Sequence, residues 1–332
     1  GEAPSLQSLE MMGQERILAA LNTGVMKQMA AGLGSRDKTL LAEYLSPAAS
    51  AQAAPKVAVN YCAKPLKLDS APLWNRWGNG RTNARFQPYK DSKISDQNVG
   101  SLKLKWAFGF PGATRARSQP AVTAEAIFTG SQDGTVYALD TQTGCVWWTF
   151  KAEAEVRSAI SIDVDNTGRP LRLYFGDFKA NVYSLDARTG ALLWKKKVDD
   201  HSVATITGSL TLHDGRLFVP VSSTEVVNAF DPAYGCCTFR GGIAALDTEQ
   251  GEFLWRMYTV PEAVKQGKNS KGVQLWGPSG APVWSSPTID HKRGLLYIGT
   301  GENYSSPAGD KSDAIIAIDI DTGKVRWVNQ TI

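Results

Sequence analysis

Three histidines in 332 residues are few. They are too few for a histidine-rich zinc site and leave little choice for a His-based triad, so chemistry here must come from carboxylates or a bound cofactor. An excess of one charge is also missing. The 36 Lys and Arg against 32 Asp and Glu leave a net charge of +4, without the clustered basic stripe that marks a nucleic-acid or membrane-surface binder. Lys195-Lys196-Lys197 is a short run and reads as a solvated strand end. No apolar stretch reaches the roughly 18–20 residues of a membrane helix, and no charged-then-apolar leader opens the chain. The first residue is Gly rather than Met, so we expect the true N-terminus to lie upstream.

What the sequence does have is a repeat. Asp-x-x-x-Gly-x-x-x-Trp occurs in four copies: Asp140…Gly144…Trp148, Asp186…Gly190…Trp194, Asp247…Gly251…Trp255 and Asp319…Gly323…Trp327. Each is preceded by a small residue and Leu or Ile. Each reads as a β-hairpin, an apolar strand, a turn closed by Gly where positive φ is needed, and a second strand carrying Trp. A further apolar run lies upstream of every copy (Ala126–Phe128, Leu173–Phe175, Leu217–Val219, Leu295–Ile298), so each unit offers about four strands. The copies are 46, 61 and 72 residues apart, which fits a propeller blade of roughly 40–50 residues that grows by insertion. The expected fold is all-β, a β-propeller. Trp106, ending the alternation Leu102-x-Leu104-x-Trp106, is expected to add a strand of another blade, giving four to five. A ring must close to protect its strand edges, so part of it is expected beyond Ile332.

Residues 10–45 carry helical periodicity instead, with Ile17, Leu18, Leu21 and Val25 on one face and Leu40, Leu41, Tyr44 and Leu45 on another, and Pro47 ending the second helix. The Ala/Pro/Lys-rich stretch from 47 to 72 reads as a linker. The expected organisation is therefore 1–46 helical, 47–72 linker and 73–332 propeller.

The opening Trp74-Asn75-Arg76-Trp77-Gly78-Asn79-Gly80-Arg81 through Arg85-Phe86, then Ile94-Ser95-x-x-Asn98-Val99-x-x-Leu102, together with the Asp-x-x-x-Gly-x-x-x-Trp repeat, resembles the propeller of pyrroloquinoline-quinone (PQQ) dehydrogenases. The helical segment resembles the C-terminal end of a c-type cytochrome, whose axial haem ligand would be Met26, with Met29 as the alternative. The haem-attachment Cys-x-x-Cys-His is absent. The resemblance implies PQQ-contacting hydroxyls at Thr207 and Ser222, a calcium-ligating carboxylate at Glu225, and in Trp284 an indole platform beneath the quinone. After Gly299-Thr300-Gly301 the family places an Asn ligand to calcium; here Glu302 stands there and Asn303 follows, and both are candidates.

Adjacent Cys236 and Cys237 cannot meet zinc-finger spacing but can form a vicinal disulfide in an oxidising compartment. The family carries such a disulfide against the cofactor, although from an earlier blade. Cys236-Cys237-Thr238-Phe239-Arg240-Gly241 resembles the polyvinyl alcohol dehydrogenase branch, with Arg240 a candidate to reach the quinone or a carboxylate. Cys62 and Cys145 have no assigned partner.

The resemblance implies a periplasmic quinohaemoprotein that oxidises an alcohol or polymeric alcohol with PQQ and calcium and passes electrons through haem c to an acceptor cytochrome, with no nucleic-acid partner and no membrane span. The family's catalytic Asp is expected beyond Ile332, so no catalytic residue is named and the chain as given is expected to be inactive. The rival is a non-catalytic propeller, an envelope scaffold or sensor. It explains the repeats but not Cys236-Cys237, Glu225 and Trp284 together.

Overall fold

The computed structural model describes residues 9, 12–24, 26–46 and 59–332. Two compact units divide between Val57 and Ala58. In the first, helix α1 (Gln14–Asn22) buries Ile17 and Leu21, and helix α2 (Ser35–Leu45) buries Ala42. The Asp37 carboxylate caps α2 by accepting from the Gly34 N–H at 3.3 Å. Leu41, Leu45 and Met26 pack on this small cluster. Leu40 and Tyr44, expected to share the inner face, are exposed, because the turn of α2 that faces α1 carries Leu41, Ala42 and Leu45 instead. Val25 and Pro47 lie outside the described residues. No described helix is long and apolar enough to cross a membrane.

The second unit is built of antiparallel four-stranded sheets, one per repeat. The first contains Ala121–Val122, Ala126–Gly130, Thr135–Asp140 and Val146–Lys151 in chain order. The second runs from Ser161 to Lys197 and the fourth from Thr288 to Gln330 in the same order. The third, Thr211–Tyr258, adds the short strand Ala204–Thr205 beside Ser222 and Ser223. First strands are largely buried and fourth strands are the most exposed. Lys195, Lys196 and Lys197 end such an outer strand, and Lys196 reaches Glu252 at 2.9 Å.

The repeat residues explain one another. Each Trp lies opposite a small residue of the third strand: Ala138 faces Trp148, Ser184 Trp194, Ala245 Trp255 and Ala317 Trp327. That leaves room for the indole, which crosses to the following sheet. Trp148 donates its indole N–H to the carbonyl of Ala187 at 3.2 Å, Trp194 to Thr248 at 3.0 Å and Trp255 to Ile320 at 3.1 Å. The ring lies flat on the next Gly, so a Cβ at Gly190 would stand 2.5 Å from Trp148. Gly190 also has φ of 71°, which L-residues avoid. The repeat Asp closes its own turn, as when Asp186 Oδ1 accepts from Arg188 N, Thr189 N and Thr189 Oγ1.

Trp106 belongs to the same series without the expected strand. Its indole donates to Thr141 O at 3.1 Å and covers Gly144, yet residues 102–106 join no ladder among the described residues. It holds the docking place of a preceding blade. Residues 59–72, expected to be linker, are packed on the sheets instead. Leu68 is buried in their core, Cys62 N donates to Val146 O at 3.0 Å, and Cys62 is disulfide-bonded to Cys145.

A strap of residues 74–83 crosses the first strands of all four sheets in chain order. Trp74 pairs with Val122, and the Asn75 amide exchanges two 2.8 Å bonds with the Ile162 backbone. Arg76 donates to Leu212 O at 2.8 Å, and Asn83 Nδ2 donates to Thr288 Oγ1 at 2.7 Å.

Candidate functional site

The connectors that lead into the first strands place three residues in equivalent positions. Arg157, Thr207 and Trp284 each stand four residues before the start of a first strand, at Ser161, Thr211 and Thr288. All three line one cavity of about 340 Å³, together with Trp77, Asn83 and Arg85 of the strap and its continuation. Trp284 is 39% exposed, high for an indole inside a propeller. Its edge crosses Gly301, where a Cβ would lie 3.0 Å from Nε1.

The cavity's electrostatics are one-sided. Arg85 lies 5.5 Å over the Trp77 ring and Arg157 4.2 Å over Phe178, and no carboxylate lines the wall. Glu155 holds Arg157 Nη2 at 2.8 Å, which fixes the guanidinium, while Arg157 Nε is buried with no hydrogen-bond partner. Thr207 Oγ1 lies 2.9 Å from Ser222 Oγ, itself 3.0 Å from Thr205 Oγ1. Two indole faces, two cations, one of them fixed, and a hydroxyl suit a flat aromatic polyanion. Sequence reasoning missed Arg157, Arg85, Trp77 and Asn83. The signal for Arg157 was the repeat register it shares with Thr207 and Trp284.

A larger cavity of about 440 Å³ lies at the other end of the first strands and holds none of the expected residues. There Arg76 and Arg81 are balanced by Asp163 and Asp214, and His213 lies 3.1 Å from Arg81 Nη1. Burial, then the nearby arginines, keep His213 below its ordinary value despite Asp214.

Cys236 and Cys237 form the vicinal disulfide, across a cis peptide. Their turn is fastened to Trp276, which accepts from Cys237 N at 3.1 Å and donates to Cys236 O at 2.8 Å. Arg240 lies 3.7 Å over Tyr258 and donates from Nε to Val260 O at 3.0 Å; it does not line the 340 Å³ cavity.

The expected calcium ligands differ in their surroundings. Glu302 points to solvent. Both amide atoms of Asn303 are buried without a partner. Glu225 is fully buried, and its Oε1 accepts from Tyr234 Oη and Thr238 N, each at 2.8 Å, while Oε2 accepts from Phe239 N at 2.8 Å and Ser279 Oγ at 3.0 Å. A carboxylate has about four lone-pair sites: Tyr234, Thr238 and Phe239 take three, and the single Ser279 proton is shared between Glu225 Oε2 and Phe239 O, which lies closer at 2.7 Å. Among the described residues no three His, Cys, Asp or Glu group as a metal site. The arrangement does not fit calcium at Glu225, and no step is derived through that ion. The four cysteines are paired in the two disulfides. Met26 packs against the cluster of Ile17, Leu21, Ala30 and Ala42, and Met29 is 78% exposed.

Residues 74–332 match the PQQ family described as glucose/ethanol/alcohol dehydrogenase, beta-propeller domain. The chain belongs to that family. Within it, the chain is 41% identical to a polyvinylalcohol dehydrogenase of Pseudomonas sp over 95% of its length and 52% of the relative's. It is 38% identical to a polyvinylalcohol dehydrogenase of Sphingopyxis sp. strain 113P3 over 100% of its length and 53% of that relative. The chain thus spans about half the length of these PQQ-family relatives. A solved quinohemoprotein alcohol dehydrogenase from Pseudomonas putida HK5 superposes with a TM-score of 0.63 at 25% identity, covering 78% of this chain and 40% of that one.

Proposed function

We propose that this chain is the propeller-bearing part of a PQQ-dependent alcohol dehydrogenase, with polyvinyl alcohol as its substrate. The observation that carries the reading is the convergence of Trp284, Thr207 and Arg157 on one acid-free cavity. Two relatives named polyvinylalcohol dehydrogenase support the substrate. Bound there, PQQ supplies the two-electron acceptor for the hydride of a secondary carbinol.

In this reading Trp284 offers its exposed face as the stacking platform. Thr207 presents its hydroxyl to the quinone rim, while Ser222, expected beside it, is fully buried outside the cavity and acts only as its hydrogen-bond partner; Arg157 and Arg85 meet the quinone's carboxylates. Arg157 needs no reorganisation for this, because Glu155 and Phe178 already hold it. Asn83 ties the cavity wall to the fourth sheet through Thr288.

The helical unit with Met26 is read as the end of a cytochrome c domain that takes the electrons onward, and the protein as periplasmic. Support for the compartment comes from two disulfides and no free cysteine.

The test is a titration of the chain with PQQ, followed by tryptophan quenching. Saturable quenching is expected, weakened about tenfold or more by Arg157→Met, which removes a charge-assisted hydrogen bond. Wild-type protein that shows no saturable quenching would refute the cofactor reading. The substrate is tested separately, by dye-linked oxidation of polyvinyl alcohol by the whole protein.

A further inference from the structure

Glu225 is separated from Thr238 by an insertion that carries the vicinal disulfide. Its donors bracket that disulfide on both sides. Tyr234 precedes Cys236 by two residues, and Thr238 and Phe239 follow Cys237 directly. Ser279 adds a clamp from a separate part of the chain, with its hydroxyl 3.0 Å from Glu225 Oε2 and 2.7 Å from Phe239 O. His201 Nε2 lies 3.6 Å from Oε1 and 3.0 Å from Thr238 Oγ1. Cys237 and Phe239 are buried beside the carboxylate's own turn.

We infer that Glu225 is the anchor of the Cys236–Cys237 turn rather than a metal ligand. A buried carboxylate is costly unless every lone pair is met, and here the inserted turn meets three of the four. The exchange is mutual. The N–H groups of Thr238 and Phe239 have their acceptor in Glu225, and without it two donors of the turn are left orphaned. Because Arg240 follows Phe239 directly, the anchor also sets where that guanidinium stands over Tyr258. Glu225 is thereby a positioning residue for both the disulfide and Arg240. Charge is essential to the role: a neutral amide of the same size turns an N–H₂ toward at least one of these donors.

The experiment uses the 332-residue chain, needs no PQQ, and compares wild type with Glu225→Gln in EDTA. Dithiothreitol is the probe of the turn: it passes two electrons and two protons to the Sγ–Sγ bond, leaving two thiols and its own cyclic disulfide. Alkylation and peptide mass follow Cys236–Cys237, with Cys62–Cys145 as internal reference. Glu225→Gln is expected to lower the melting temperature in EDTA and to speed reduction of Cys236–Cys237 about fivefold or more relative to the reference. Terbium, as a calcium probe, is expected to bind both proteins within twofold or neither. Unchanged melting and unchanged reduction overturn the assignment. So does a tenfold loss of terbium affinity in Glu225→Gln that Tyr234→Phe does not share. Should Glu225→Gln fail to fold, Tyr234→Phe and Ser279→Ala each remove one donor and keep the carboxylate. Both are expected to speed reduction about twofold or more, and if neither does, the anchor is refuted.

Discussion

At the rim of the sheets the same residue recurs in the same place, with Trp148, Trp194 and Trp255 each lying on the Gly of the following sheet and donating to a carbonyl beside it. In the inner connectors the equivalent places, four residues before each first strand, hold Arg117, Arg157, Thr207 and Trp284. One position is fixed by a neighbour it must fit. The other carries a different residue in each copy, and at Arg157, Thr207 and Trp284 it lines the cavity. A repeat protein of this kind keeps its scaffold where blades touch and distributes its chemistry where they do not.

The largest test of that contrast removes a rim indole. Trp148→Ala is expected to destabilise the chain by about 3–5 kcal/mol, read by chemical denaturation, whereas Trp284→Ala should cost less than about 1 kcal/mol and instead weaken PQQ quenching about tenfold. Equal losses of stability from the two would break the comparison. Gly190→Ala comes next, expected at about 1–3 kcal/mol because its Cβ meets the Trp148 ring. Asp186→Ala, which opens one turn, should cost about 1 kcal/mol.

A smaller effect is set by pH. Burial alone would raise the Glu225 carboxyl, but the donors from His201, Thr238, Phe239 and Tyr234 outweigh it and hold it below the ordinary carboxylate value. Its contribution is therefore present above the unfolded carboxylate pKa and is lost as pH falls through the lower folded one. Stability curves of wild type and Glu225→Gln should differ near neutrality and converge in acid. A constant gap would mean that the charge is not what the turn uses.

The blades were legible because Asp, Gly and Trp each answer to a local constraint that a single chain displays. Thr207 and Trp284 were singled out by family resemblance, and both line one cavity. Arg157 was not, although it obeys the same register, because Arg in a short connector looks like any surface Arg until its neighbours are placed. The partner of Cys62 was hidden for a related reason: a separation of 83 residues carries no signal. Glu225 escaped because most of its partners are backbone N–H groups and hydroxyls brought by an insertion, which no residue pattern records. Trp106 showed its docking role in its spacing, but the strand expected to carry it joins no ladder among the described residues.

The strap has a consequence for the order of assembly. It leaves the ribosome before any blade it will touch, and its contacts then lie 87, 136 and 205 residues downstream. Lengthening the closing loop from the second contact-bearing sheet to the last adds only about 0.8 kcal/mol of entropy, so distance is no barrier. Waiting is. A segment wired to every first strand in turn stays partly unpaired until synthesis has delivered the fourth sheet, and it then counts the blades, since a missing or misordered one leaves a strap residue without its mate.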